Sequence, residues 1–160
     1  RIEKRYCALC FGKFGKEEGI LTAYLKKDEN KSLVRIYDAP TFGAEKIVTE
    51  YRAGERCGEF TKTEILLHTG KTHQIRAHLS STGHPIIGDS KYGNPKVNSI
   101  FRKKYALKYQ LLHAWKMQFP KREDALAKVS EKELTAPLPE GFTTIIKGEG
   151  LEWEPGIQEG

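Results

Sequence analysis

The chain has 160 residues, 38% of them hydrophobic and 30% charged, which suits one domain that holds a core without disulfides or structural metal. No apolar run approaches the roughly eighteen residues of a membrane span, nothing resembles a signal peptide, and three cysteines are too few for a secreted disulfide scaffold, so the expected compartment is a reducing cytoplasm. The net charge is +6, and the four glutamates that follow Gly148 leave about +10 on residues 1–148, a balance that favours nucleic acid over a membrane surface as partner.

Residues 4–11 read as a central strand, with Tyr6, Ala8 and Cys10 on one face and Cys7, Leu9 and Phe11 on the other. Residues 20–26 and 33–37 form the arms of a hairpin around Asp28, Glu29 and Asn30, and residues 47–52 and 61–68 form a second pair around a loop at 54–58. A helix follows with Thr72 as its N-cap, Ile75 and Leu79 on one face and Gly83 as its stop. Residues 83–93 read as an ordered loop, and Ser99 caps a short helix at 99–105 with a basic face of Arg102, Lys103 and Lys104. Leu111, His113, Trp115, Met117 and Phe119 share a strand face that Pro120 ends, and residues 134–138 add an edge. The expected class is α+β, a mixed and mainly antiparallel sheet with short flanking helices. The domain should occupy residues 1–148, with an acidic Gly- and Glu-rich tail at 149–160 that is poorly ordered.

The densest polar cluster is residues 69–78, across a strand end, a turn and the start of a helix, where unpaired N–H groups favour negative charge. Lys71 is placed there to contact a phosphate. Gly70, Lys71 and Thr72 imitate the end of a P-loop, but Glu64 stands where its first glycine belongs, so an ATPase is excluded. His73 and His78 lie five apart, unlike two zinc ligands one helical turn apart. Cys7 and Cys10 have zinc-knuckle spacing, yet on a strand they face opposite ways, so buried structural thiols are the better reading. Taken alone, Arg76 is most simply a helix-surface ion pair and Tyr6 a core tyrosine.

Order and length change that weighting. Residues 67–79 (LHTGKTHQIRAHL), 83–89 (GHPIIGD) and Lys91-Tyr92-Gly93 resemble the signature of the RluA family of RNA pseudouridine synthases. Residues 4–9 (KRYCAL) resemble the family's tyrosine motif, Thr49-Glu50-Tyr51 its following strand, and Leu112-His113-Ala114 and Ala136-Pro137-Leu138-Pro139 its closing elements. The resemblance implies isomerisation of uridine to pseudouridine in structured RNA, with no cofactor, no metal and no membrane. It implies an aspartate nucleophile paired with an arginine, matched by Arg76, and a tyrosine against the target uracil, matched by Tyr6. RNA contacts are expected from Lys71, Thr72, His73 and Gln74, with ribosomal RNA ahead of tRNA. Lys71 departs from the family's usual arginine, which keeps the charge and loses a bidentate phosphate contact.

The larger departure concerns the nucleophile. The family's aspartate lies in a motif upstream of the tyrosine, and none of Asp28, Asp38, Asp89 and Asp124 matches it. With Arg1 first and Met117 the sole methionine, the chain reads as the C-terminal part of the catalytic domain, inactive by itself. The rival readings are a non-catalytic RNA-binding module and, more distantly, an interaction domain with a metal on Cys7, Cys10, Cys57 and a histidine. The enzyme reading also requires Tyr6 and Arg76 to converge on one cleft, with both side chains on one side of the sheet.

Overall fold

The computed structural model describes residues 2–71, 73–120 and 132–152. Their strands are β1 (Glu3–Phe11), β2 (Glu18–Asp28), β3 (Leu33–Tyr37), β4 (Glu45–Cys57), β5 (Phe60–Leu67), β6 (Leu112–Gln118) and β7 (Glu133–Thr135). All join one sheet in the order β3-β2-β4-β5-β1-β6-β7, with every pairing antiparallel. Helices α1 (Gln74–Ser81), α2 (Pro95–Tyr105) and α3 (Glu140–Gly148) complete the expected α+β class.

The centre of the sheet follows from the pattern of β1. Cys7, Ala8, Leu9 and Cys10 are all fully buried, because β1 runs between β5 and β6 and both of its faces are covered. Cys7 and Leu9 join Phe101 of α2, Trp115 of β6 and Phe142, Ile145 and Ile146 of α3. Ala8 and Cys10 join Tyr51, Ile65 and, from α1, Ile75 and Leu79. Each large side chain buried this way contributes about 1.5–3 kcal/mol, so the two clusters hold the helices on opposite faces.

Several boundaries differ from expectation for identifiable reasons. The loop expected at 54–58 is largely strand: a register shift between Ala53 and Arg56 bulges β4 and lets it continue to Cys57 before turning at Gly58. The second helix starts at Pro95, not after Ser99, because Asn94 is its cap. The Asn94 Oδ1 accepts the Lys96 and Val97 N–H groups at 3.0 and 3.2 Å, and Pro95 gives up no helical hydrogen bond in the first turn. The edge strand β7 covers Glu133–Thr135, short of the expected residue 138.

The cap of α1 is also displaced. His73, not Thr72, holds the N-cap position, in a left-handed conformation (φ 54°) with no side-chain cap; Thr72 lies outside the described residues. Gly83 ends the helix as expected, its N–H donating to the Ser80 carbonyl at 3.0 Å.

Residues 149–152 of the expected tail are among the described residues. Helix α3 was not anticipated, and Leu151 beyond it is 1% exposed against the α3 cluster. Glu149 accepts hydrogen bonds from Lys104 Nζ at 2.8 Å and from the Tyr105 hydroxyl. The rest of the expected tail, residues 153–160, lies outside the described residues.

Candidate active site

The turn between β5 and α1 is held from inside by one amide. Gln74 is 2% exposed, and its Oε1 accepts the Lys71 N–H at 3.1 Å and the Thr69 hydroxyl at 2.8 Å. Its Nε2 donates to the Val48 carbonyl at 3.1 Å and to Thr49 Oγ1 at 3.0 Å, fastening the turn to β4. Thr49 Oγ1 shares a further hydrogen bond with His78 Nδ1 at 2.8 Å. Burial drives the His78 pKa down to about 4, so its ring is neutral at pH 7. Such a network fixes geometry because each member is satisfied. Gln74, expected at the RNA, spends its side-chain polar atoms on hydrogen bonds within the protein.

Tyr6 stands beside this turn. It packs against the cluster that contains Ile75 and Leu79, so it lies on the α1 face of the sheet, the same side as the helix carrying Arg76. A cleft of about 300 Å³ opens there, lined by Ile2, Lys4, Tyr6 and residues 67–71. Burial raises the Tyr6 pKa above its ordinary value, so the phenol stays protonated near neutral pH. Beside it, His68 Nε2 lies 2.7 Å from Glu50 Oε2. Lys71 forms an exposed ion pair with Glu45 and keeps part of its surface on this cleft.

Arg76 is not among the residues that line this cleft; it reaches a carboxylate. Its Nε donates to Asp89 Oδ2 at 2.8 Å and its Nη2 to Asp89 Oδ1 at 2.9 Å, while the guanidinium lies 5.3 Å from the centre of the Tyr92 ring. Asp89 Oδ1 also accepts the Lys91 and Tyr92 N–H groups at 2.9 and 3.0 Å. Burial alone would push the Asp89 pKa up; the hydrogen bonds from Arg76, Tyr92 and Lys91, together with the Arg76 charge, outweigh it and leave the carboxyl below its ordinary value. The Arg76 pKa is raised in turn, first by the Asp89 hydrogen bond. The simpler reading of Arg76 as a surface ion pair does not describe this fork, whose carboxylate is fully buried. The loop bearing Asp89 depends on Gly88, where φ is +88° and an added Cβ would collide with the Tyr109 carbonyl.

His73 completes the arrangement. Its Nδ1 lies 2.9 Å from the Tyr92 hydroxyl, which accepts the Val34 N–H at 2.9 Å and so ties the α1 turn to β3. Burial first, then the charges of Arg76 and Lys91, lower the His73 pKa. The basic face of α2 plays no part in this cleft: Phe101 packs on the opposite face of the sheet, and Lys104 is engaged by Glu149. Cys7 and Cys10 face opposite sides of β1, so the two thiols cannot share one ion, and burial lifts each pKa to about 12. Asp89, Tyr92 and the His68–Glu50 pair escaped assignment from sequence, although Asp89 and Tyr92 stand within the motif segments at 83–93.

An antiparallel sheet flanked by short helices, with a tyrosine-lined cleft and, on the helix packed over the same face, an arginine–aspartate fork, matches a known class of RNA-modifying domain. Residues 1–81 match the family model described as RNA pseudouridylate synthase, and the chain belongs to that family, in its RluA branch. An RNA pseudouridine synthase of Chlorobaculum parvum is 31% identical over 160 residues, covering 92% of this chain and 47% of that protein. Ribosomal large subunit pseudouridine synthase C of Buchnera aphidicola is 32% identical over 149 residues, covering 92% of this chain and 45% of that protein. The chain thus spans just under half the length of these relatives. The fold is shared with human RNA pseudouridylate synthase domain containing 4, at a TM-score of 0.73 and 22% identity over 95% of this chain and 64% of that one. Among the described residues no helix is long and apolar enough to cross a membrane.

Proposed function

We propose that this chain is the C-terminal part of a cytoplasmic pseudouridine synthase catalytic domain that acts on uridines in structured RNA, ribosomal RNA foremost. In the reaction the bond from ribose C1′ to uracil N1 breaks, the base turns, and C1′ bonds to C5. N1 gains a proton and C5 loses one, so no redox partner is called for, and the proposal invokes neither cofactor nor metal. Tyr6 packs on the target uracil. Arg76, held by Asp89, presents the unused edge of its guanidinium to the nucleophilic carboxylate, keeping it ionised and aimed. Lys71, Thr72 and His73 meet the RNA backbone.

The observation that carries this reading is the shared cleft of Tyr6 and residues 67–71, on the side of the sheet where α1 holds Arg76. Among the described residues no carboxylate lines that cleft, and Asp89 has its two oxygens occupied by four donors and no solvent access, so it is a positioning residue and not a nucleophile. The nucleophile accordingly comes from a segment outside this chain, and the chain alone is inactive. The test is to map pseudouridine in ribosomal RNA transcripts after incubation with this chain, and with a protein that joins it to a segment bearing the family's aspartate motif. Product from the joined protein alone is expected. Product from the isolated chain would show the nucleophile to be misassigned, and none from the joined protein would leave an RNA-binding module as the better reading.

A further inference from the structure

The turn between β3 and β4 holds an aromatic ring in the open: Phe42 is 95% exposed. Single exposed apolar residues are ordinary, so its setting decides what it means. The turn is fixed. The Ala44 N–H donates to the Thr41 carbonyl at 2.9 Å, the Thr41 hydroxyl donates to the Ala39 carbonyl at 2.9 Å, and Gly43 takes the φ of +79° that the third position of a type II turn requires. Phe42 is therefore held outward by a closed turn.

Gly43 lines a cleft of about 830 Å³ whose walls include Lys26, Lys27, Arg35 and Lys71. Asp28 is committed to Arg35 at 3.3 Å and Glu45 to Lys71. Lys26 and Lys27 form no ion pair among the described residues; successive on β2, their stems leave opposite faces, the Lys26 amine lies by Gly43, the Lys27 charge also acts on Glu45, and Glu29 is the third carboxylate in the lining. This cleft and the Tyr6 cleft meet, since Gly70 and Lys71 line both. A strand with one base at Tyr6 would cross Lys71 and reach the turn of Phe42.

We infer that Phe42 stacks on an unpaired RNA base near the target uridine while Lys26 and Lys27 take the adjoining phosphates. The inference rests on the RNA reading of the Tyr6 cleft. Exposed aromatics along a basic groove bind single strands because every base offers a π-face, whereas bases inside a duplex are already stacked on one another.

The test is direct binding of this chain to two labelled RNAs with equal numbers of phosphates, a hairpin with a uridine-containing loop and a fully paired duplex. Phe42→Ala should weaken loop binding about tenfold and leave duplex binding unchanged, and Phe42→Tyr should restore it to within about twofold. Replacing Lys26 and Lys27 together by alanine should flatten the log–log salt dependence by about 0.7 for each phosphate that the lysines no longer neutralise. Loop binding untouched by Phe42→Ala, or an equal loss on both RNAs, would overturn the inference and leave the synthase reading in place. Failure of the unsubstituted chain to bind either RNA at low salt would instead overturn the RNA reading beneath it.

Discussion

Asp89 takes the Arg76 guanidinium in a fork, at 2.8 and 2.9 Å, from a side chain that solvent does not reach. The same carboxylate receives two backbone N–H groups of its own loop, so one residue shapes the loop after α1 and sets the direction of the arginine. A guanidinium has five N–H groups, and this fork uses two. The remaining edge keeps a fixed orientation, as a residue that positions another carboxylate needs.

Asp89→Asn tests that dependence. The amide keeps the shape but leaves the Arg76 charge without its counterpart, and breaking a buried pair from one side costs about 3 kcal/mol. The urea unfolding midpoint at pH 7 should fall accordingly. Arg76→Lys should cost less, about 2 kcal/mol, because an ammonium reaches one oxygen where the fork reaches both. In the joined protein of the proposed activity test, Arg76→Lys should lose most activity, while RNA affinity, set by phosphate contacts, changes little. An Asp89→Asn midpoint equal to that of the unsubstituted chain would show that the fork contributes nothing.

His78 predicts an acid sensitivity above the range where carboxylates titrate. Its pKa in the fold is about 4 against an ordinary 6.5, the lowering caused by burial. Between those values the unfolded chain binds a proton that the folded chain refuses, so stability is full above pH 6.5 and declines as pH falls toward 4. The integrated loss is about 3 kcal/mol, and the lowered pKa of His73 acts in the same direction. Denaturant midpoints measured from pH 7.5 to 4.5 should decline, and His78→Gln should flatten the curve. An unchanged slope in that variant would assign the acid sensitivity elsewhere.

The fold was legible where one period governed a whole segment. The alternation of Tyr6, Ala8 and Cys10 against Cys7 and Leu9 placed β1 at the centre with both faces covered, whereas which face meets α1 emerges only in the fold. Helix α3 was harder, since Gly141, Thr143 and Thr144 lower its helix propensity and no capping residue announces it. Its signal was Phe142, Ile145 and Ile146, spaced for one helical face. The partner of Arg76 was illegible for another reason. Asp89 lies 13 residues away, beyond the end of α1, and only the loop fold built around Gly88 and Asn98 brings it back.

Leu151 tests the reading of the region after α3. It is 1% exposed in the cluster that also holds Trp115 and Phe142, so Leu151→Ala should destabilise the chain by roughly 2–5 kcal/mol. A substitution in a loose tail would change stability by less than about 0.5 kcal/mol. Thermal or urea unfolding separates the two outcomes cleanly.

Tyr6 can act through its ring or through its hydroxyl, and its surroundings favour the ring. Burial raises the phenol pKa, which works against the deprotonated form that a general base needs, while the ring lies partly open on a cleft of about 300 Å³. Tyr6→Phe preserves the ring, so the fold and the affinity for a uridine-containing RNA should stay within about twofold of the unsubstituted chain. Tyr6→Ala removes the stacking surface and should weaken that binding by about tenfold, in line with about 1–3 kcal/mol for one stacked base. The pair of variants separates the two roles in binding experiments that need no turnover. Equal weakening by Tyr6→Phe and Tyr6→Ala would place the contribution in the hydroxyl, and no weakening by Tyr6→Ala would remove Tyr6 from the RNA contact altogether.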